Sequence, residues 1–174
     1  AVSADTSLLP LDCGDFLLAD VVKEEDAVVA ALTAEFPEGA DLVTGDGAAE
    51  MDHERIEEAH EPLAWAQVRI ARRCLSPGGT LVLKVFEGLQ PRMRDLVAQL
   101  TRSFETVSLL KPGSSRPTNS ERYLVCRGFD AAAREEVDGV QAHAGAWVRE
   151  YDAIVDRLAT DQIAALRAVF ASVS

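Results

Sequence analysis

A chain of 174 residues with 48% apolar content is sized for a packed globular unit, and its formal net charge of −12 argues against a protein that coats nucleic acid by bulk electrostatics. No apolar run approaches the ~18 residues of a membrane-spanning helix, and the N-terminus AVSADTSLLPLDCGD lacks the basic region and long apolar segment of a secretory leader. An intracellular protein of nucleus, cytoplasm or virion, with no membrane partner, is expected.

Residues 16 to 22, FLLADVV, read as a short buried strand, followed by an apolar-periodic helix over 27 to 36 that ends at Pro37 and Gly39. ADLVTGDG reads as a second strand whose apolar run stops at Gly45-Asp46-Gly47. Residues 54 to 74 suit a helix broken or begun near Pro62, and SPGG is the turn after it. TLVLKVF, 80 to 86, is the next strand, with Lys84 as the one charge in an apolar run. An amphipathic helix over 91 to 103 leads to strand ETVSLL, an irregular loop from Lys111 to Ser120, and strand YLVC at 123 to 126.

This alternation predicts an α/β, Rossmann-like sheet, mostly parallel, with helices on both faces. The last two strands, joined by loop without helix, are expected to be antiparallel. A partial domain over 1–130 is followed by a helical extension over 131–174 packed on it, with Ile154, Leu158, Ile163, Leu166, Val169 and Phe170 as candidate core positions.

Cys13, Cys74 and Cys126 form no C-x-x-C pair and read as buried free thiols of a reducing compartment. The histidines, His53, His60 and His143, make no ligand pattern, so no metal is expected. Acidic residues gather in 24 to 61 and 135 to 161, while Arg69, Arg72, Arg73, Arg92, Arg94, Arg102, Lys111, Arg116, Arg122 and Arg127 occupy the middle. RNA, if bound, meets a local patch. The acidic segment Glu50 to Glu61 reads as a solvated helix face.

Asp46, Lys84 and Glu121 lie in or at strands of one predicted sheet, at the side where open α/β sheets bind ligands. Asp46 is a turn former or a functional carboxylate, and Glu121 is a solvated residue or a carboxylate fixed at a strand entrance. An ammonium in an apolar strand needs partners, which neighbouring carboxylates supply. Lys84 is then either an ion-pair staple or a general base.

GDG at 45–47, LVLKVF at 81–86 and KPGSSRPTNSERYLVCRG at 111–128 together resemble the FtsJ-like S-adenosylmethionine-dependent RNA ribose 2′-O-methyltransferases, which use a Lys-Asp-Lys-Glu tetrad. Within that group SSRPTNSERYLVCRG is most similar to the cap-specific mRNA enzymes, and QIAALRAVF at 162–170 resembles a helix following the catalytic domain in that branch. The resemblance implies S-adenosylmethionine as cofactor, a capped RNA substrate, and other chains of a capping or larger RNA assembly as partners. It makes Asp46 the tetrad Asp, Lys84 the second Lys and general base, and Glu121 the final Glu. Asp20 would receive the adenine amino group and the Val21 amide would meet the ring, with Asp46 also beside the cofactor. Ser114, Ser115, Arg116 and Asn119 would hold the RNA backbone. The same chemistry on ribosomal or transfer RNA is a related alternative.

The family's Gly-rich cofactor loop and first Lys, expected upstream of residue 16, do not occur in AVSADTSLLPLDCG. An upstream segment, a partner chain that supplies it, or a non-catalytic module of the same fold in a larger assembly would each account for this. Retention of Lys84 with both carboxylates favours the first.

Overall fold

The structure, a computed structural model, describes residues 17–47, 56–135 and 146–173. In chain order it contains α1 (Glu25–Glu35), β1 (Ala40–Gly45), α2 (Ile56–Cys74), β2 (Leu75–Val85), α3 (Pro91–Ser103), β3 (Phe104–Leu110), β4 (Arg122–Phe129), a 3-10 turn (Ala131–Glu135) and α4 (Ala146–Val173). The sheet order is β1-β2-β4-β3. β1 pairs parallel with β2, whereas β4 is antiparallel to both of its neighbours. β1, β2 and β3 therefore run one way, and β4 alone is reversed, as the helix-free loop before it requires.

Alternation along the strands decides which face is buried. Leu81, Leu83 and Val85 of β2, with Leu124 and Cys126 of β4 and Leu109 of β3, enter one cluster with α2, α3 and α4. α3 contributes Met93, Leu96, Val97 and Leu100, the three-and-four spacing of an amphipathic helix, and begins with Pro91 in its first turn, where a missing N–H costs nothing. Each such side chain contributes about 1.5–3 kcal/mol by leaving water. The opposite face of β2 and β4 carries Val82, Lys84, Tyr123 and Val125.

Three expectations are corrected. Residues 17 to 22 form no strand: Leu17 and Leu18 are 56% and 90% exposed, and Asp20 turns the chain instead. Its carboxylate accepts the N–H groups of Val22 and Lys23 at 3.1 and 3.3 Å, and its own N–H donates to Glu24 at 2.7 Å. Those bonds close a turn ahead of α1, whose N-cap is Glu24, and outweigh β-propensity. SPGG is not a separate turn; it is an irregular part of β2, whose pairing jumps from Ala40↔Leu75 to Leu42↔Thr80. α2 runs through Pro62 without breaking.

α4 joins the core through Tyr151 and Val155, with Ile154 and Leu158 packed against it. Farther along, Ile163, Val169 and Phe170 are 49%, 50% and 71% exposed and Leu166 is only half-buried, so the expected core ends before them. Gly88, at φ +81, lets α4 dock: a Cβ there would stand 2.4 Å from the Tyr151 hydroxyl, which donates to the Gly88 carbonyl at 3.1 Å. Cys74 and Cys126 are buried free thiols, both pushed up by burial, Cys126 to about 12. Cys13, His53 and His143 lie outside the described residues. Among the described residues no helix is long and apolar enough to cross a membrane, and no cluster of His, Cys, Asp and Glu could hold a metal ion.

Candidate active site

The candidate site stands at the C-terminal ends of β1 and β2. Gly45, the last residue of β1, pairs with Leu83, so Asp46 emerges beside Lys84. The turn is held against α2: Gly47 N–H donates to Gln67 Oε1 at 3.4 Å, and a Cβ on Gly45 would meet that oxygen at 2.4 Å. Lys84 is buried along its stem, with its side chain 10% exposed. Its Nζ donates to the Asp46 carboxylate and the Asp46 carbonyl, both at 2.9 Å. The Asp46 side chain is 69% exposed, so the pair has one buried and one solvated member.

Across the sheet Lys84 pairs with Tyr123. The Tyr123 hydroxyl donates to Glu121 Oε1 at 3.3 Å, which turns the carboxylate before β4 toward this end of the sheet. Burial, followed by the charges of Asp46 and Glu121, raises the phenol above its ordinary 10.0. It stays a donor throughout the neutral range. Asp46, Lys84 and Glu121 thus gather around Tyr123, a residue that strand chemistry alone had explained.

His60 of α2 lies beneath the lysine. It is 1% exposed, and its Nε2 donates to the Lys84 carbonyl at 3.1 Å. A carbonyl only accepts, so Nε2 carries the proton, and buried Nδ1 has no partner among the described residues. Burial lowers its pKa from 6.5, the bond to Lys84 O opposes that, and the Lys84 charge adds to it. Phe86 packs edge-on against the ring at 4.9 Å.

Glu57 overturns the solvated reading of the acidic segment at its own position. It is 4% exposed and accepts the N–H groups of Gly88, Leu89 and Gln90 at 2.8, 3.3 and 3.3 Å, shaping the loop after β2. Burial raises its pKa above 4.5 against those three bonds. Residues 50–55 of that segment lie outside the described residues.

The loop between β3 and β4 carries the remaining expected residues. Ser114 and Arg116 are exposed, and Ser115 and Asn119 are half-buried. The Ser115 hydroxyl donates to Asn119 Oδ1 at 3.2 Å, so those two hold each other before they hold anything else. Much of the central basic run is absorbed by structure: Arg69 pairs with Glu25, Arg73 with Asp26, Arg92 with Glu61 and Arg94 with Asp152. Buried Arg72 and Arg122 donate to the carbonyls of Ala133 and Glu87. Arg116 remains on the loop surface. Asp20 is exposed in its own turn, paired with Lys23 at 2.8 Å, and Val21 packs against the α1–α2 cluster.

The family model described as FtsJ-like methyltransferase matches residues 10–129. The chain is 35% identical over 101 residues to a cap-specific mRNA (nucleoside-2'-O-)-methyltransferase of Autographa californica nuclear polyhedrosis virus, covering 57% of this chain and 38% of that protein. It is 33% identical over 132 residues to a ribosomal RNA large subunit methyltransferase E of Acidithiobacillus ferrooxidans, covering 72% of this chain and 54% of that one. The chain therefore spans about a third to a half of the length of these relatives. A solved ribosomal RNA methyltransferase from Plasmodium falciparum superposes with a TM-score of 0.57 at 21% identity, over 69% of this chain and 66% of the other, a likeness of fold.

Proposed function

We propose, from the premise that this chain belongs to the FtsJ-like methyltransferase family, that it carries the ribose-facing half of a site for 2′-O-methylation of RNA. FtsJ-like methyltransferases use S-adenosylmethionine, which supplies an electrophilic methyl group. The observation that carries the reading is the Lys84–Asp46 contact of 2.9 Å at a sheet end that also presents Glu121. A staple alone would not need the Asp46 carboxylate in solvent.

Lys84 is assigned to take the proton of the ribose 2′-hydroxyl. For that the ammonium that donates to Asp46 first gives up a proton, so that Nζ offers a lone pair. Asp46 anchors Nζ through two oxygens, and Tyr123 aims Glu121. Orientation of the hydroxyl supplies most of the acceleration, since effective molarities of well-aligned groups reach about 10⁵ M or more. The exposed carboxylates of Asp20 and Asp46 suit an amino-bearing cofactor, and in this reading Asp20 with the Val21 amide meets the adenine. Ser114, Ser115, Arg116 and Asn119 hold the RNA backbone.

The run SSRPTNSERYLVCRG favours a capped mRNA end as substrate over ribosomal or transfer RNA. Methyl transfer by the full-length polypeptide to capped and uncapped RNA of the same sequence tests it; equal transfer to both removes the cap assignment. A non-catalytic module is the competing reading, because the Asp46 carboxylate neutralises the Lys84 charge and two oxygens of Asp46 already hold its Nζ. Saturable S-adenosylmethionine binding by the full-length polypeptide, with turnover lost in Lys84→Met, decides against it.

A further inference from the structure

Lys111, the first residue after β3, points inward. Its Nζ lies 3.3 Å from Ser115 Oγ, 3.0 Å from Asn119 O, 2.6 Å from Asn119 Oδ1 and 3.0 Å from Glu121 O. An ammonium has only three N–H donors, so its hydrogen-bonding capacity is filled by the loop itself. One charge thus gathers positions 115, 119 and 121 of a segment that itself belongs to no strand or helix. Other ties include the Ser115 hydroxyl to Asn119 Oδ1 at 3.2 Å, backbone turns from Ser115 N–H to Pro112 O at 3.0 Å and Asn119 N–H to Arg116 O at 3.2 Å, and a bond from Gln162 of α4 to Thr118 O at 3.2 Å.

The bond to the Glu121 carbonyl matters most. Tyr123 holds the Glu121 side chain and Lys111 holds its backbone, so the carboxylate is fixed from both ends. Charge-assisted bonds of this kind are about twice as strong as neutral ones. We propose that Lys111 is a positioning residue, setting from inside the loop both the seat of Glu121 and the spacing of the RNA-facing side chains; as a role in catalysis this rests on the methyltransferase reading above. It does not contact RNA phosphate, because its donors are spent.

The test uses the full-length polypeptide and Lys111→Met, read by amide hydrogen exchange. Residues 112–122 should exchange at least about tenfold faster in the variant, with α2 and α3 unchanged. Unchanged protection over 112–122 overturns the proposal whether or not any RNA is methylated. Should Lys111→Met lose protection everywhere, Asn119→Ala removes the shortest Lys111 contact together with the Ser115 bond to the same oxygen and must loosen the same segment selectively. Where the wild type turns over, Lys111→Met should lower kcat/KM by up to about 100-fold. Added to Glu121→Ala it should lower kcat by less than about twofold more, since its effect on kcat passes through that one carboxylate; full additivity in kcat overturns the positioning role. A wild type that methylates neither capped nor uncapped RNA sinks the enzymatic reading instead, and the exchange result still judges the clasp.

Discussion

Lys84 and Tyr123 face each other across the β2–β4 ladder, and through that one pairing the ion pair on β1 and the carboxylate before β4 share an end of the sheet. Replacing Lys84 by Met keeps the stem and removes the charge. Methyl transfer should fall by about 10²–10⁴-fold, the range of a lost general base. Because Asp46 is largely in solvent, no buried charge is orphaned, and the melting temperature should hold. Retained turnover in Lys84→Met would assign the lysine to architecture.

Tyr123→Phe removes the donor to Glu121 while keeping the ring. Turnover should drop by about tenfold or less, because one neutral donor to a carboxylate is worth about 1.5 kcal/mol. With the phenol raised above 10.0, it remains protonated through the neutral range, so the pH–rate profile of Tyr123→Phe should keep the shape of the wild type's there. A changed shape in that range would show that Tyr123 is a group titrating.

His60 makes stability depend on pH in a fixed direction. The unfolded imidazole takes a proton near 6.5, whereas the buried one does so only at lower pH. The unfolded state therefore binds more protons in that window, and the contribution, complete above 6.5, is lost as pH falls through it. Glu57, raised above 4.5, has the opposite sign, its contribution declining as pH rises. The quantity to measure is thus the difference between wild type and His60→Gln across pH 7.5 to 5 (about one unit either side of the histidine's ordinary value). Wild type should lose more stability on acidification; parallel curves would refute the assignment.

Gly88→Ala meets both a positive φ and the Tyr151 hydroxyl, and should cost about 1–3 kcal/mol. Tyr151→Phe alone should cost about 1 kcal/mol through its lost bond to Gly88 O. In the double variant the hydroxyl contact is gone and only the backbone strain stays, so thermal unfolding should show a loss smaller than the sum. Strict additivity would mean that the close contact is relieved by movement elsewhere.

Arg116→Ala should weaken RNA binding with little change in kcat, and the slope of log K against log salt should fall by about 1. An unchanged slope in a salt titration would take Arg116 off the phosphate path.

The sequence made much of the sheet legible. Its apolar strands, and the Pro91 start with three-and-four spacing of α3, depend on local chemistry. Lys84 stood out because a charge inside LVLKVF is costly without partners. What was missed depends on tertiary packing. FLLADVV has strand composition, but the Asp20 carboxylate closes a turn there. The acidic run gave no sign that Glu57 alone turns inward, because its reward is a set of N–H groups more than thirty residues away. Lys111 looked like part of a basic patch, and only the folded loop shows its charge spent internally. The apolar positions near the end of α4 have the right period but extend beyond the sheet that would bury them.

The Lys111 clasp separates the loop's architecture from its outward chemistry. It grips backbone oxygens of Asn119 and Glu121 and the side chains of Ser115 and Asn119 alone, leaving Ser114, Arg116 and Pro117 outside the grip. Evolutionary drift at those outer positions can retune which nucleic acid is held without refolding the segment, so one scaffold can diverge toward different RNAs while the spacing around Lys84 stays constant.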